Sequence, residues 1–145
     1  MSASRQDLEY LKTLTVLYVE DDTDTRDQFA EFLQRLVGRL ITAGDGSEGL
    51  AAFREHKPHI VVTDIQMPDM DGLAMAKEIY DTAPTVPVIV ITAFETLDYL
   101  ISAAYSGIER YVTKPVQSDQ LLRCLLDCAQ LVRTRHEAKQ LTDVT

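Results

Sequence analysis

His59-Ile60-Val61-Val62-Thr63 is an unbroken run of mostly apolar and β-branched residues that ends on Asp64 and leads into Ile65-Gln66-Met67-Pro68-Asp69-Met70-Asp71-Gly72. A short apolar run bounded by turn residues predicts a strand buried on both faces. Asp71-Gly72 after Pro68 predicts the start of a helix, because an Asp side chain satisfies the first free helical N–H groups. Strand, loop and helix thus form one unit. Leu14 to Val19, Arg39 to Ala43, Pro87 to Ile91 and Glu109 to Val112 supply four more buried strands. Helical spacing lies between them, at Phe29, Leu33, Leu36 and Val37 and again at Leu97, Ile101 and Ala104. Thr23 or Asp22 is placed to cap the first of these helices and Gly38 to end it.

Strict alternation of nearly continuous apolar strands with helices predicts a parallel sheet covered on both faces, since right-handed crossovers put the helices there. The expected fold is a doubly wound α/β sandwich of five strand and helix pairs. In such sheets ligands bind outside the carboxyl ends of the strands, where the strand order reverses.

Composition narrows the function. With 145 residues, 46% of them hydrophobic, the chain is long enough for one core that needs no disulfide or metal. Fourteen Lys plus Arg against 23 Asp plus Glu give a net charge of −9. That balance opposes direct binding of nucleic acid or an anionic membrane and favours an acidic cleft holding a cation. Cys124 and Cys128, four apart in a leucine-rich stretch, match neither a redox CxxC nor a zinc pattern, and are expected to be buried or half-buried thiols. His56, His59 and His136 have no metal-ligand spacing and are expected to be structural or solvated. No signal-like or membrane-spanning run is present, so a cytoplasmic location is expected.

The strand ends carry the chemistry. The first strand ends in Glu20-Asp21-Asp22, the third in Asp64, the fourth in Thr92 and the fifth in Lys114-Pro115. Carboxylates gathered on one rim repel one another, and a hard divalent cation is the natural remedy. A carboxylate can also attack a phosphoryl group while a cation, an ammonium and a hydroxyl share its oxygens. Asp64, Lys114 and Thr92 suit those parts.

Val19-Glu20-Asp21-Asp22, the Asp64 to Gly72 loop, Ile91-Thr92-Ala93 and Tyr111-Val112-Thr113-Lys114-Pro115, in this order, resemble bacterial response-regulator receiver domains. The resemblance spans about Leu14 to the helix after Ser118 and implies a flavodoxin-like (βα)5 fold with strand order 2-1-3-4-5. It implies residues 14–132 as the receiver domain, 1–13 as an N-terminal extension and 133–145 as a helical extension or linker. It implies that Asp64 accepts a phosphoryl group from a histidine kinase or phosphotransfer protein. Mg²⁺, or Mn²⁺ in its place, would be held by Glu20, Asp21, Asp64 and the main-chain carbonyl of Gln66. Lys114 would contact the phosphoryl oxygens, its bond to Pro115 being typically cis in the family. Thr92 and Tyr111 would form the switch that alters the surface of the fourth helix, fifth strand and fifth helix of those units. That surface would control a partner protein or an attached output domain.

Departures from the usual pattern matter too. Glu20 replaces the common first Asp and lengthens the reach to the cation by one methylene. Gln66 and Phe94 flank the path of the hydrolytic water in the family, and the bulk of Phe94 is expected to slow loss of the phosphoryl group. Glu109-Arg110 stands where an acidic pair is usual, which argues against dimerisation through the salt-bridge network of transcription-factor relatives. Residues 2–13 carry Leu8 and Leu11 at helical spacing, so a short extra helix fits there. The last helix bears two stripes, Leu122, Leu125, Ala129, Val132 and His136, and Leu121, Cys124, Cys128, Leu131, Arg135 and Ala138. One can cover the sheet, and the second offers either a wider buried face or a homodimer seam. Three rival functions remain: a phosphorylation-independent interaction module, an aspartyl-phosphate phosphohydrolase and a flavin carrier. The full Asp64, Thr92 and Lys114 set weighs against the first. Asp64-Ile65-Gln66 lacks the second Asp of the hydrolases, and the acidic first loop would repel a flavin phosphate.

Overall fold

A computed structural model of the chain describes residues 4–65, 67, 71–93, 96 and 108–144. The helical spacing at Leu97, Ile101 and Ala104 lies outside the described residues. Five parallel strands, β1 (Thr15–Val19), β2 (Arg39–Ala43), β3 (Ile60–Asp64), β4 (Val88–Thr92) and β5 (Ile108–Thr113), form one sheet in the order β2-β1-β3-β4-β5. The described helices are α1 (Arg5–Leu11), α2 (Thr23–Gln34), α3 (Gly46–His56), α4 (Gly72–Thr82) and α5 (Ser118–Val144). The chain therefore has the expected flavodoxin-like doubly wound sandwich.

Alternation along the strands divides the core in two. Val16, Tyr18, Ile60, Val62, Ile89 and Ile91 face a layer made by α1, α2 and α5. Leu17, Val19, Val61, Val88 and Val90 face Leu50 and Phe53 of α3 and Met75, Ala76 and Ile79 of α4. Every residue of β3 and β4 is buried, as the continuous apolar runs predict. The two edge strands depart from that reading: β2 is buried only at Ala43, and β5 only at Val112. Each has a neighbour on one side only, so its apolar residues are covered from fewer directions.

Asp22 caps α2, accepting from the Thr25 N–H at 3.0 Å, and Asp71 caps α4, accepting from the Ala74 N–H at 2.8 Å. Gly38 does not end α2, which stops at Gln34 with Arg35 as its cap. Its N–H donates instead to the Leu14 carbonyl, and a Cβ there would lie 2.4 Å from the Lys12 carbonyl oxygen. Glycine is needed because two backbones touch.

The expected N-terminal helix is present as α1, with Leu11 fully buried. Arg133 of α5 stacks 5.1 Å above the Tyr10 ring. On α5 the two stripes merge, because Leu121, Cys124, Leu125, Cys128 and Ala129 are all buried in one core. The first positions of the seam stripe thus belong to the molecule's own interior. Burial also pushes the Cys128 thiol up to about 12. Arg135 ties the helix to the sheet edge, donating to the Thr85 carbonyl and to the Glu109 carboxylate, both at 2.7 Å.

Candidate functional site

The strand order brings the ends of β1 and β3 side by side, and with them Glu20, Asp21 and Asp64. One carboxylate oxygen from each lies within 4.8 Å of the others. Glu20 and Asp64 are both 4% exposed, whereas Asp21 is open to solvent. Glu20 is fixed through its backbone: its N–H donates to the Ala43 carbonyl, and its own carbonyl accepts from Arg26 at 2.8 Å. Its carboxylate accepts weakly from the Asp22 N–H at 3.4 Å. Burial first, and then the Asp64 charge, push the Glu20 carboxyl up to about 7.

Lys114 supplies the opposing charge. Its Nζ lies 2.8 Å from Asp64 Oδ2, and its N–H donates to the Thr92 carbonyl, so the ends of β3, β4 and β5 meet at one point. The Lys114-Pro115 peptide is cis. Burial alone would lower the ammonium's pKa, but the hydrogen bond to Asp64 and the charges of Asp64, Glu20 and Asp21 outweigh it and hold it above its ordinary value. Three carboxylates against one ammonium leave an excess of negative charge, and two of the three carboxylates are buried. That donor set of hard oxygens fits a divalent cation with Mg²⁺ or Mn²⁺ chemistry.

Thr92 is buried at the end of β4. Tyr111 of β5 pairs with Val90, two residues before Thr92, so both side chains belong to the α3 and α4 side of the sheet. Burial raises the Tyr111 phenol's pKa. Gln66 and Phe94 lie outside the described residues. Glu109 and Arg110 are engaged within the molecule, with Arg135 at 2.7 Å and Asp127 at 3.6 Å respectively. Sequence reasoning missed Tyr18, which lines the same cavity as Glu20, Asp21, Asp64 and Lys114. Its position two residues before Glu20 was the available signal, since strand neighbours at that spacing share a face.

Residues 16–126 match the response regulator receiver domain family. The chain belongs to that family. Among curated relatives, this receiver domain is 34% identical over 116 residues to the "Probable transcriptional regulatory protein TcrX" of Mycobacterium tuberculosis, covering 78% of this chain and 50% of that one. It is 37% identical over 105 residues to the DNA-binding transcriptional regulator NtrC of Salmonella typhimurium, covering 72% of this chain and 22% of that one. The chain thus spans half or less of the length of these two relatives. Among solved structures, the N-terminal domain of the protein WS1339 from Wolinella succinogenes is similar at TM-score 0.74 and 35% identity, covering 88% of this chain and 99% of that one. Receiver domains are the signalling switches of two-component systems and bind Mg²⁺ through acidic residues such as this cluster. No described helix is long and apolar enough to cross a membrane.

Proposed function

We propose that this receiver domain is a cytoplasmic phosphorylation switch in which Asp64 accepts a phosphoryl group from a histidine kinase or phosphotransfer protein. The observation that carries this reading is the Lys114 to Asp64 contact of 2.8 Å inside the acidic cluster. An Asp64 carboxylate oxygen attacks phosphorus, the bond to the donor's leaving group breaks, and that group departs with the electron pair. Lys114 stays with the phosphoryl oxygens as charge spreads over them, a task for preorganised electrostatics. The Thr92 hydroxyl joins the same oxygens and Tyr111 turns inward behind it. Glu20, Asp21 and Asp64, with the Gln66 main-chain carbonyl, would hold Mg²⁺, which when bound neutralises the carboxylates and the transferring oxygens. Gln66 and Phe94 would tune the phosphoryl group's lifetime. The altered surface then engages a partner or an output domain.

Intact mass after incubation with Mg²⁺ and acetyl phosphate tests the reading. One phosphoryl adduct that needs Mg²⁺ and maps to Asp64 is expected. Absence of any adduct would favour a phosphorylation-independent interaction module instead.

The raised Glu20 carboxyl gives a pH dependence. Its ordinary pKa is 4.5 and its folded value about 7, so the folded protein binds the extra proton between those limits. Stability of the metal-free protein therefore falls as pH rises through that window, by roughly 3 kcal/mol in all, and levels off above it. Mg²⁺ competes with that proton and relieves the same repulsion. The gain in Tm from Mg²⁺ is expected to be small near about pH 5.5 and full near about pH 8. Thermal melts at both values measure it, and an equal gain at the two would contradict the assignment.

A further inference from the structure

Tyr18 and Glu20 lie two residues apart on β1 and so on one side of the sheet. Tyr18 stands beside Val62 of β3, and Asp64 follows two residues further along that strand. The ring is therefore directly beneath the rim carboxylates and lines their cavity of about 340 Å³. Tyr18 is 1% exposed, and its hydroxyl has no hydrogen-bond partner; among the described residues no other buried side-chain oxygen or nitrogen stands so. Leaving such a hydroxyl unsatisfied forfeits its hydration with nothing in return. Phenylalanine would fill the same space without that cost, so the oxygen needs a reason.

Its surroundings supply one. A phenol keeps its proton at neutral pH, so this hydroxyl is a donor. The groups above it are the carboxyls of Glu20 and Asp64, and neither reaches it directly. Water can bridge a donor and acceptors that do not meet directly. Mg²⁺ gives up its waters reluctantly and normally keeps several.

We propose that the Tyr18 hydroxyl positions a cation-bound water in this site, donating to a water held by the ion that Glu20, Asp21 and Asp64 bind. This inference rests on the proposed function, and it makes Tyr18 a positioning residue rather than a metal ligand. Such supporting hydrogen bonds commonly change metal affinity by 10- to 100-fold.

Tyr18→Phe tests it through Mg²⁺ binding by titration calorimetry and through thermal melts with and without Mg²⁺, with no phosphoryl transfer in the readout. The variant is expected to bind Mg²⁺ about tenfold more weakly. Without the ion it should melt at or above the parent, because an unsatisfied hydroxyl has been removed, and its gain from Mg²⁺ should shrink. Equal affinity in the two proteins overturns the inference while leaving the site intact. A metal-free variant that melts lower with unchanged affinity also overturns it, making the hydroxyl part of the core alone. A parent that binds no Mg²⁺ overturns the site and the inference together.

Discussion

Asp64→Asn is expected to form no phosphoryl adduct and, in the absence of metal, to melt higher than the parent. The first effect follows from chemistry, because an amide oxygen is too poor a nucleophile to form the acyl phosphate. The second follows from electrostatics. Glu20 is held at about 7 by burial and then by the Asp64 charge, so removing that charge eases its ionisation. Lys114 loses its 2.8 Å partner, but its side chain is 46% exposed and solvent takes up much of the difference. A net gain of roughly 1 kcal/mol corresponds to about 3 °C in a domain of this size. Mg²⁺ should then add little, since one of its ligands is weakened. Intact mass and thermal melts check both halves, and a variant that melts lower without metal would show that the ion pair outweighs the repulsion.

Gly72→Ala is expected to damage both stability and the site, because its Cβ would sit 2.2 Å from the Asp64 carbonyl oxygen and 3.0 Å from the Ile65 Cα. Both obstacles are backbone, so no side chain can turn aside. The Gly72 N–H also donates to the Ile65 carbonyl at 2.8 Å, which holds the start of α4 against the end of β3. Relief requires the two elements to separate, at a cost of about 2–3 kcal/mol for an overpacked contact. Any separation shifts the Asp64 backbone, and a displacement of an ångström can lower a rate by about 100-fold. Gly49→Ala is the comparison: its Cβ would meet the Met75 sulfur at 2.8 Å and a Val19 methyl at 2.9 Å. Met75 is flexible and can yield, so that variant should lose less stability and keep its rate of adduct formation. Urea unfolding and phosphorylation rates separate the two. Equal losses would mean that the approach of α4 to β3 is not what positions Asp64.

The five strands were legible because their apolar runs are short, unbroken and flanked by turn residues, and the Asp71 cap was legible because it is local. Strand order came with the family resemblance rather than from the runs themselves. The partial exposure of β2 could not be read from Leu40 and Ile41, since it depends on the strand's place at the sheet edge. Gly38 was misread for the same kind of reason: its cause is the Lys12 carbonyl, 26 residues away. At the site, charged residues at strand ends announced themselves, because so many carboxylates converging on one rim need a purpose. Tyr18 did not, since an aromatic in a strand is ordinary until its hydroxyl is seen to be buried without a partner. The two stripes of α5 could not be separated in sequence, because helical spacing shows which residues share a face but not how wide a face the sheet will cover.

α5 is a single helix of 27 residues, about 40 Å long at 1.5 Å per residue. Its last fully buried residue is Ala129, Val132 still packs against the core, and Arg135 fastens the helix to Thr85 and Glu109 at the sheet edge. From that fastening to Val144 there remain roughly 13 Å of helix. The arrangement has the proportions of a lever, with Arg135 as the fulcrum and β5 as its seat. A tilt of about 10° there would carry the far end through about 2 Å, so the length of free helix would enlarge any small repacking around β5.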